Sequence, residues 1–217
     1  MKRYDAVVFD WDGTVMDSTH TIVTAIQSAC TDVGLPVPDA SQASWVIGLS
    51  LESALYHCVP ELTAEQLPLF LDRYRFHFLQ RDPEIKLFDG IVDFLEMLRS
   101  RQVVLGVATG KSRVGLDRVL GTTQLRNHFD TTRCADESFG KPHPGMLLEI
   151  MDELSLRPEQ VLMVGDTSHD IQMATSAGMD SMAVTYGAHD KRTLLEAEPT
   201  VMVSSVHEMQ AWLLDRV

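Results

Sequence analysis

Apolar residues change their spacing twice along this chain. Ala6-Val7-Val8-Phe9 is an unbroken apolar run and predicts a short strand buried on both faces. Between residues 18 and 81 no comparable run recurs, and apolar residues follow helical spacing instead. Ile22, Val23, Ile26, Ala29, Cys30 and Val33 mark one helix, with Asp17 or Ser18 available as its N-cap and Gly34-Leu35-Pro36 as its stop. Leu67, Phe70, Leu71, Tyr74, Phe78 and Leu79 mark a second behind Thr63-Ala64-Glu65-Gln66, a capping-box pattern, although Pro68 sits awkwardly for a regular first turn. A shorter helix fits residues 51–59, with Gly48-Leu49-Ser50 as the loop ahead of it.

From about residue 90 helical segments alternate with short apolar runs. Val103-Val104-Leu105-Gly106-Val107, Val161-Leu162-Met163-Val164 and Met182-Ala183-Val184 read as strands, and a weaker one lies near 130–134. Helical stretches near 90–100, 112–120, 144–155, 168–177 and 206–215 supply the crossovers that parallel strands require. The predicted fold is α/β: a Rossmann-like parallel sheet with an inserted helical subdomain. The core is discontinuous, formed by 1–14 and 86–217, and residues 15–85 are a helical cap.

The 217 residues, 45% of them hydrophobic, suffice for one substantial core plus an insertion. A net charge of -13 argues against nucleic acid or an anionic membrane as partner and favours a small metabolite. No apolar run approaches the roughly 18 residues that span a bilayer. The start, Met1-Lys2-Arg3-Tyr4-Asp5, leads into a strand without the apolar segment of a signal peptide, so the expected location is cytoplasmic. Cys30, Cys58 and Cys134 lack metal-ligand spacing and read as free, mostly buried thiols. The methionines, 11 in all, read as core filler.

Polar residues follow each main strand, and a parallel sheet gathers them at one edge. After the first strand, Asp10-Trp11-Asp12-Gly13-Thr14 places two carboxylates one residue apart, which points to phosphoryl transfer; an acidic turn with a helix cap would use the same residues. After the strand at 103–107, Thr109, Gly110 and a helix N-terminus offer a hydroxyl and backbone N–H groups to a phosphate oxyanion. Gly110-Lys111-Ser112 is not a nucleotide-binding P-loop, because the glycine needed five positions before Gly110 is Leu105. Lys141, in Gly140-Lys141-Pro142-His143-Pro144, is a charge on a loop stiffened by prolines, and His143 is assigned no role. Gly165-Asp166-Thr167-Ser168-His169-Asp170 adds two further acids. Each segment alone is explained by helix capping; their order and shared position after strands are not. Carboxylates converging within about 4 Å repel by several kcal/mol, and a hard cation resolves the conflict. An oxygen-only donor set favours Mg2+.

On these residues the chain resembles the haloacid dehalogenase superfamily, specifically members with a helical cap after the first strand, and within it phosphoglycolate phosphatase and its relatives. All four motifs of the family are present: Asp10-Trp11-Asp12-Gly13-Thr14, Thr109, Lys141, and Gly165-Asp166 with Asp170. The resemblance implies a magnesium-dependent phosphatase acting on a small phosphate monoester through an aspartyl-phosphate. It assigns Asp10 as nucleophile, Asp12 as general acid and base, and Thr109, Gly110 and Lys141 as phosphate ligands. Asp10, Asp12 through its backbone carbonyl, and Asp166 would hold the metal, with Asp170 in support. Hinges are expected at 15–18 and 81–89. Gly110 stands where the family commonly has Asn, which keeps a backbone donor and loses an amide. The cap has no Lys, and Arg73, Arg75 and Arg81 are its only arginines, which weighs against bisphosphates and nucleotides. Asp12 disfavours dehalogenation. A sugar-phosphate mutase and a pyrophosphatase stay open on the same scaffold, while the intact acids argue against a non-catalytic phosphate-binding module.

Overall fold

The computed structural model describes residues 4–217; the expectation for Met1-Lys2-Arg3 at the start lies outside the described residues. A chain of alternating strands and helices can bury both faces of a parallel sheet, and this one does. The strands and helices are, in chain order, β1 (Ala6–Phe9), β2 (Met16–Asp17), α1 (Thr19–Val33), α2 (Ala40–Trp45), α3 (Leu51–Cys58), α4 (Leu67–Arg81), β3 (Lys86–Leu87), α5 (Ile91–Ser100), β4 (Val104–Thr109), α6 (Arg113–Thr122), β5 (Thr131–Cys134), α7 (Gly145–Leu154), β6 (Val161–Gly165), α8 (Ser168–Ser176), β7 (Asp180–Val184), α9 (Lys191–Glu196), β8 (Val201–Val203) and α10 (Val206–Leu213).

Six strands form one parallel sheet in the order β5-β4-β1-β6-β7-β8. Side chains alternate across it. Val7 and Phe9 of β1 face a core with α5, α6 and α10, where Phe94, Leu98, Leu116 and Met209 are fully buried. Ala6 and Val8 face the opposite layer, filled by Met146, Ile150 and Met173 of α7 and α8. The methionines thus serve largely as core filler, as their flexibility suits. Strand order reverses at β1, flanked by β4 on one side and β6 on the other, so the loops after these three strands meet in one crevice.

The insertion between β1 and β4 carries α1 to α4 and a core of its own, in which Ile26, Ala29, Leu55 and Phe70 are buried. Burying Ile26, Leu55 and Phe70 contributes about 1.5–3 kcal/mol each relative to exposure. The two connections run side by side as an antiparallel ribbon, with Met16 opposite Leu87 and Asp17 opposite Lys86.

The structure adjusts several expectations. Helix α4 begins at Leu67, so Pro68 falls in the first turn, where its missing N–H costs no helical bond. The Thr63/Gln66 reciprocal bonds form, but they close a turn ahead of the helix. Ser18 is the N-cap residue of α1 yet makes no capping bond: its backbone is helical (φ -112°, ψ -5°) and not extended as a side-chain cap requires, and its hydroxyl donates to Asp12. Helices α2 and α9, strand β8 and the β2–β3 ribbon were not anticipated. All three cysteines are free and buried. No helix among the described residues is long and apolar enough to cross a membrane.

Candidate active site

The end of β1 delivers Asp10 into the crevice, where it is 1% exposed. Lys141, on the loop before α7, places its ammonium 2.7 Å from Asp10 Oδ1 and 2.7 Å from Asp170 Oδ1. Asp170 is fixed by its other oxygen, which accepts from the Thr167 N–H at 3.1 Å and the Thr167 hydroxyl at 2.7 Å in the capping box that starts α8. Burial holds the Asp10 carboxyl well above the usual carboxylate range; Lys141 opposes this, and the charges of Asp170 and Asp166 add to it. For Lys141 burial favours the neutral amine, but Asp10 and Asp170 outweigh it and raise its pKa. The ammonium therefore persists although the Lys141 side chain has no exposed surface.

Asp166 follows β6 directly and is held from two directions. The Thr14 hydroxyl donates to Oδ1 at 2.8 Å, and the Ala188 N–H donates to Oδ2 at 2.7 Å. Gly13, at φ 81°, is required here twice over: its backbone is left-handed, and a Cβ would lie 2.1 Å from Asp166 Oδ2. Burial and the neighbouring Asp170 push the Asp166 carboxyl up to about 7, against its two hydrogen bonds. Asp10, Asp166 and Asp170 bring carboxylate oxygens within 4.8 Å of one another. Asp10 Oδ2 is buried with no hydrogen-bond partner among the described residues. A buried oxygen-only cluster with one orphaned acceptor fits a hard divalent cation such as Mg2+.

Asp12 points its carboxylate away from that cluster. Its Oδ1 accepts from the Ser18 hydroxyl at 2.6 Å, and its Oδ2 lies 3.0 Å from Lys111 Nζ. Thr109 is buried at the end of β4, and its hydroxyl oxygen accepts from the Lys111 N–H at 3.2 Å. Gly110 meets the insertion: a Cβ there would lie 2.4 Å from the Leu49 carbonyl oxygen and 2.5 Å from that of Gly48. A glycine at this position thus makes room for the loop ahead of α3, which lies over the site.

A second link between insertion and core centres on Trp45, at the end of α2. Its carbonyl oxygen accepts from His169 Nε2 at 2.9 Å and His189 Nε2 at 3.0 Å, while its ring stacks on His57. Ser168 N–H donates to His189 Nδ1 at 3.0 Å, which fixes the tautomer that donates from Nε2. His143 accepts from the Gly145 N–H and stays in its loop. The structure therefore brings Asp10, Asp12, Thr109, Gly110, Lys141, Asp166 and Asp170 to one sheet edge. The sequence assigns no role in the site to Thr14, Ser18, Trp45, Lys111, His169, Ala188 and His189; Ser18 is expected as a helix cap and Thr14 only as the last residue of the first motif. Thr14 closes the first motif and Lys111 follows Gly110, so both could have been found by position, whereas Ser18 lies four residues past the motif. Ala188 and Trp45 act through backbone groups, which leave no side-chain signal.

The model of the haloacid dehalogenase-like hydrolase family matches residues 7–184. "Probable phosphatase IndB" of Dickeya dadantii is 34% identical over 209 residues, covering 94% of this chain and 90% of that protein. The phosphoglycolate phosphatase of Chromobacterium violaceum is 32% identical, covering 89% of this chain and 90% of that one. Among solved structures, a "predicted phosphatase" from Clostridium acetobutylicum superposes with a TM-score of 0.86 at 26% identity, over 98% of this chain and 99% of that chain.

Proposed function

The chain belongs to the haloacid dehalogenase-like hydrolases, and from that premise we propose that it is a magnesium-dependent phosphatase that hydrolyses a small phosphate monoester of the phosphoglycolate type. The observation that carries this reading is Asp10: a buried carboxylate at a strand end, with Oδ1 on the Lys141 ammonium and Oδ2 without a hydrogen-bond partner among the described residues. Relatives named as phosphatases support it.

Asp10 attacks phosphorus in line, forming an acyl-phosphate bond as the ester P–O bond breaks. Asp12 gives its proton to the departing alcohol oxygen, then takes one from the water that attacks the acyl phosphate, which frees inorganic phosphate and restores Asp10. Such acid–base assistance is worth about 10²- to 10⁴-fold. Ser18 and Lys111 hold the Asp12 carboxylate in place. Thr109, the Gly110 N–H and Lys141 bind the nonbridging oxygens, where charge is concentrated in the transition state. Asp10, the Asp12 carbonyl and Asp166 would hold Mg2+, which neutralises charge on nucleophile and phosphoryl group when bound. Asp170 acts through Lys141, and the insertion, closed over Gly110, excludes water.

The test is phosphate release from a panel of esters, namely phosphoglycolate, hexose phosphates, nucleotides and pyrophosphate, with Mg2+ and with chelator. Mg2+-dependent release that is lost in Asp10→Asn is expected. Conversion of a hexose phosphate to its isomer with no phosphate released would instead place the chain among the mutases.

A further inference from the structure

We infer that Lys111 binds the leaving group, and that it selects esters whose alcohol carries one negative charge. The inference deepens the phosphatase reading and rests on it. Side-chain exposure shows where the site opens: Lys111 and Asp12 are 12% and 10% exposed, against 0% and 1% for Lys141 and Asp10. The leaving group therefore faces Asp12 and Lys111. Opposite them is α4, on which Tyr74 and Phe78 stand one turn apart with rings stacked at 6.1 Å. The Lys111 ammonium lies 5.2 Å from the centre of the Phe78 ring, a cation–π distance. Asp12 is near enough to Tyr74 that its charge, after burial, helps raise the phenol pKa.

The insertion's own cations are turned elsewhere. Arg73 and His77 pair with Asp32 on α1 at 2.6 and 2.7 Å, Arg75 lies 3.9 Å from Asp72, and Arg81 is exposed at the end of α4. Among the described residues, one cation from the core thus faces an aromatic wall from the insertion. A single ammonium under an aromatic roof suits a single carboxylate on a small alcohol. It is short of charge for a second phosphate and has no use for a neutral alcohol. In the free site Asp12 Oδ2 occupies Lys111. A substrate carboxylate that takes over the ammonium leaves that oxygen turned to the departing alcohol, so that recognition and acid–base positioning share one side chain.

The experiment compares two esters of like size, phosphoglycolate and 2-hydroxyethyl phosphate, which differ in the charge of the leaving alcohol. The wild-type protein should favour phosphoglycolate in kcat/KM by roughly 10- to 100-fold, the range of one charge-assisted contact. The preference should shrink as salt rises. Lys111→Met should bring the ratio close to one, while kcat falls alike for both esters because Asp12 loses its ammonium partner, and Lys111→Arg should keep most of the ratio. Equal kcat/KM for the two esters in the wild type, or an unchanged ratio in Lys111→Met, overturns the inference and leaves the phosphatase reading in place. If no phosphate ester is hydrolysed by the folded protein with Mg2+, the phosphatase reading fails and this inference with it.

Discussion

Replacing Lys141 with Met withdraws the ammonium that lies 2.7 Å from both Asp10 and Asp170, and leaves two carboxylates buried without it. Met keeps most of the aliphatic volume, so the cavity contribution is small. Removing one partner of a buried ion pair costs about 3–5 kcal/mol. For a chain of this size each kcal/mol moves Tm by about 2–4 °C, so a fall of roughly 6–20 °C is expected. The sign of the pH dependence follows from Asp10, whose carboxyl already sits above its ordinary range and rises further without Lys141. A carboxyl raised on folding penalises the native state above its folded pKa and not below its unfolded one, near 3.9. The gap between wild type and variant should therefore narrow as pH falls from neutral toward the ordinary carboxylate range. Urea unfolding in chelator, followed by circular dichroism, measures it. Adding Asp170→Asn should recover part of the loss, since one of the two stranded charges is gone. A variant within 1 kcal/mol of wild type at pH 7.5, or a gap that widens in acid, refutes the reasoning.

Three further outcomes are expected. Gly110→Asn restores the family's usual residue, yet a Cβ there meets the Leu49 and Gly48 carbonyls, so kcat/KM should fall at least about tenfold; equal or higher activity would show that the loop yields freely. Replacing His169 and His189 with Ala removes both donors to the Trp45 carbonyl, worth about 1 kcal/mol each, and amide exchange across 40–58 should quicken by roughly tenfold or more; unchanged exchange would mean that other contacts hold the insertion. Asp166, pushed up to about 7 without metal, binds a proton that Mg2+ must displace, so Mg2+ should raise Tm more at pH 8 than at pH 6, and a larger rise at pH 6 would reverse the assignment.

What was legible in the chain divides by physical cause. Strands buried on both faces are continuous apolar runs, so β1, β4 and β6 stood out, and the polar residues after them marked one sheet edge. β8 is three residues long at the edge of the sheet, and β2 and β3 have two residues each, too few for any period. Helix α9 starts at an Asp190 cap and carries one fully buried residue, Leu194, so it lacks an apolar stripe. Ser18 has the residue type and position of a helix cap and does not cap, because its backbone is helical at φ -112° and ψ -5°, which the residue type does not reveal, while its hydroxyl donates to the Asp12 carboxylate. The Ala188 N–H and the Trp45 carbonyl are functional through backbone atoms, which every residue has, so only the folded chain reveals them. Lys111 stood beside Thr109 and Gly110, the expected phosphate ligands, without a role, since the contacts that distinguish it are with Asp12 from a distant strand end and with Phe78 on α4.

The central claim is that the Asp10 carboxylate accepts the phosphoryl group. Protein quenched in acid during turnover with Mg2+ and phosphoglycolate, then digested and weighed by mass spectrometry, tests it most directly. The account predicts a gain of one phosphoryl group on the peptide containing Asp10, absent from Asp10→Asn, which should also release no phosphate. Turnover by Asp10→Asn at a rate near wild type, with no phosphorylated peptide from either protein, would contradict it.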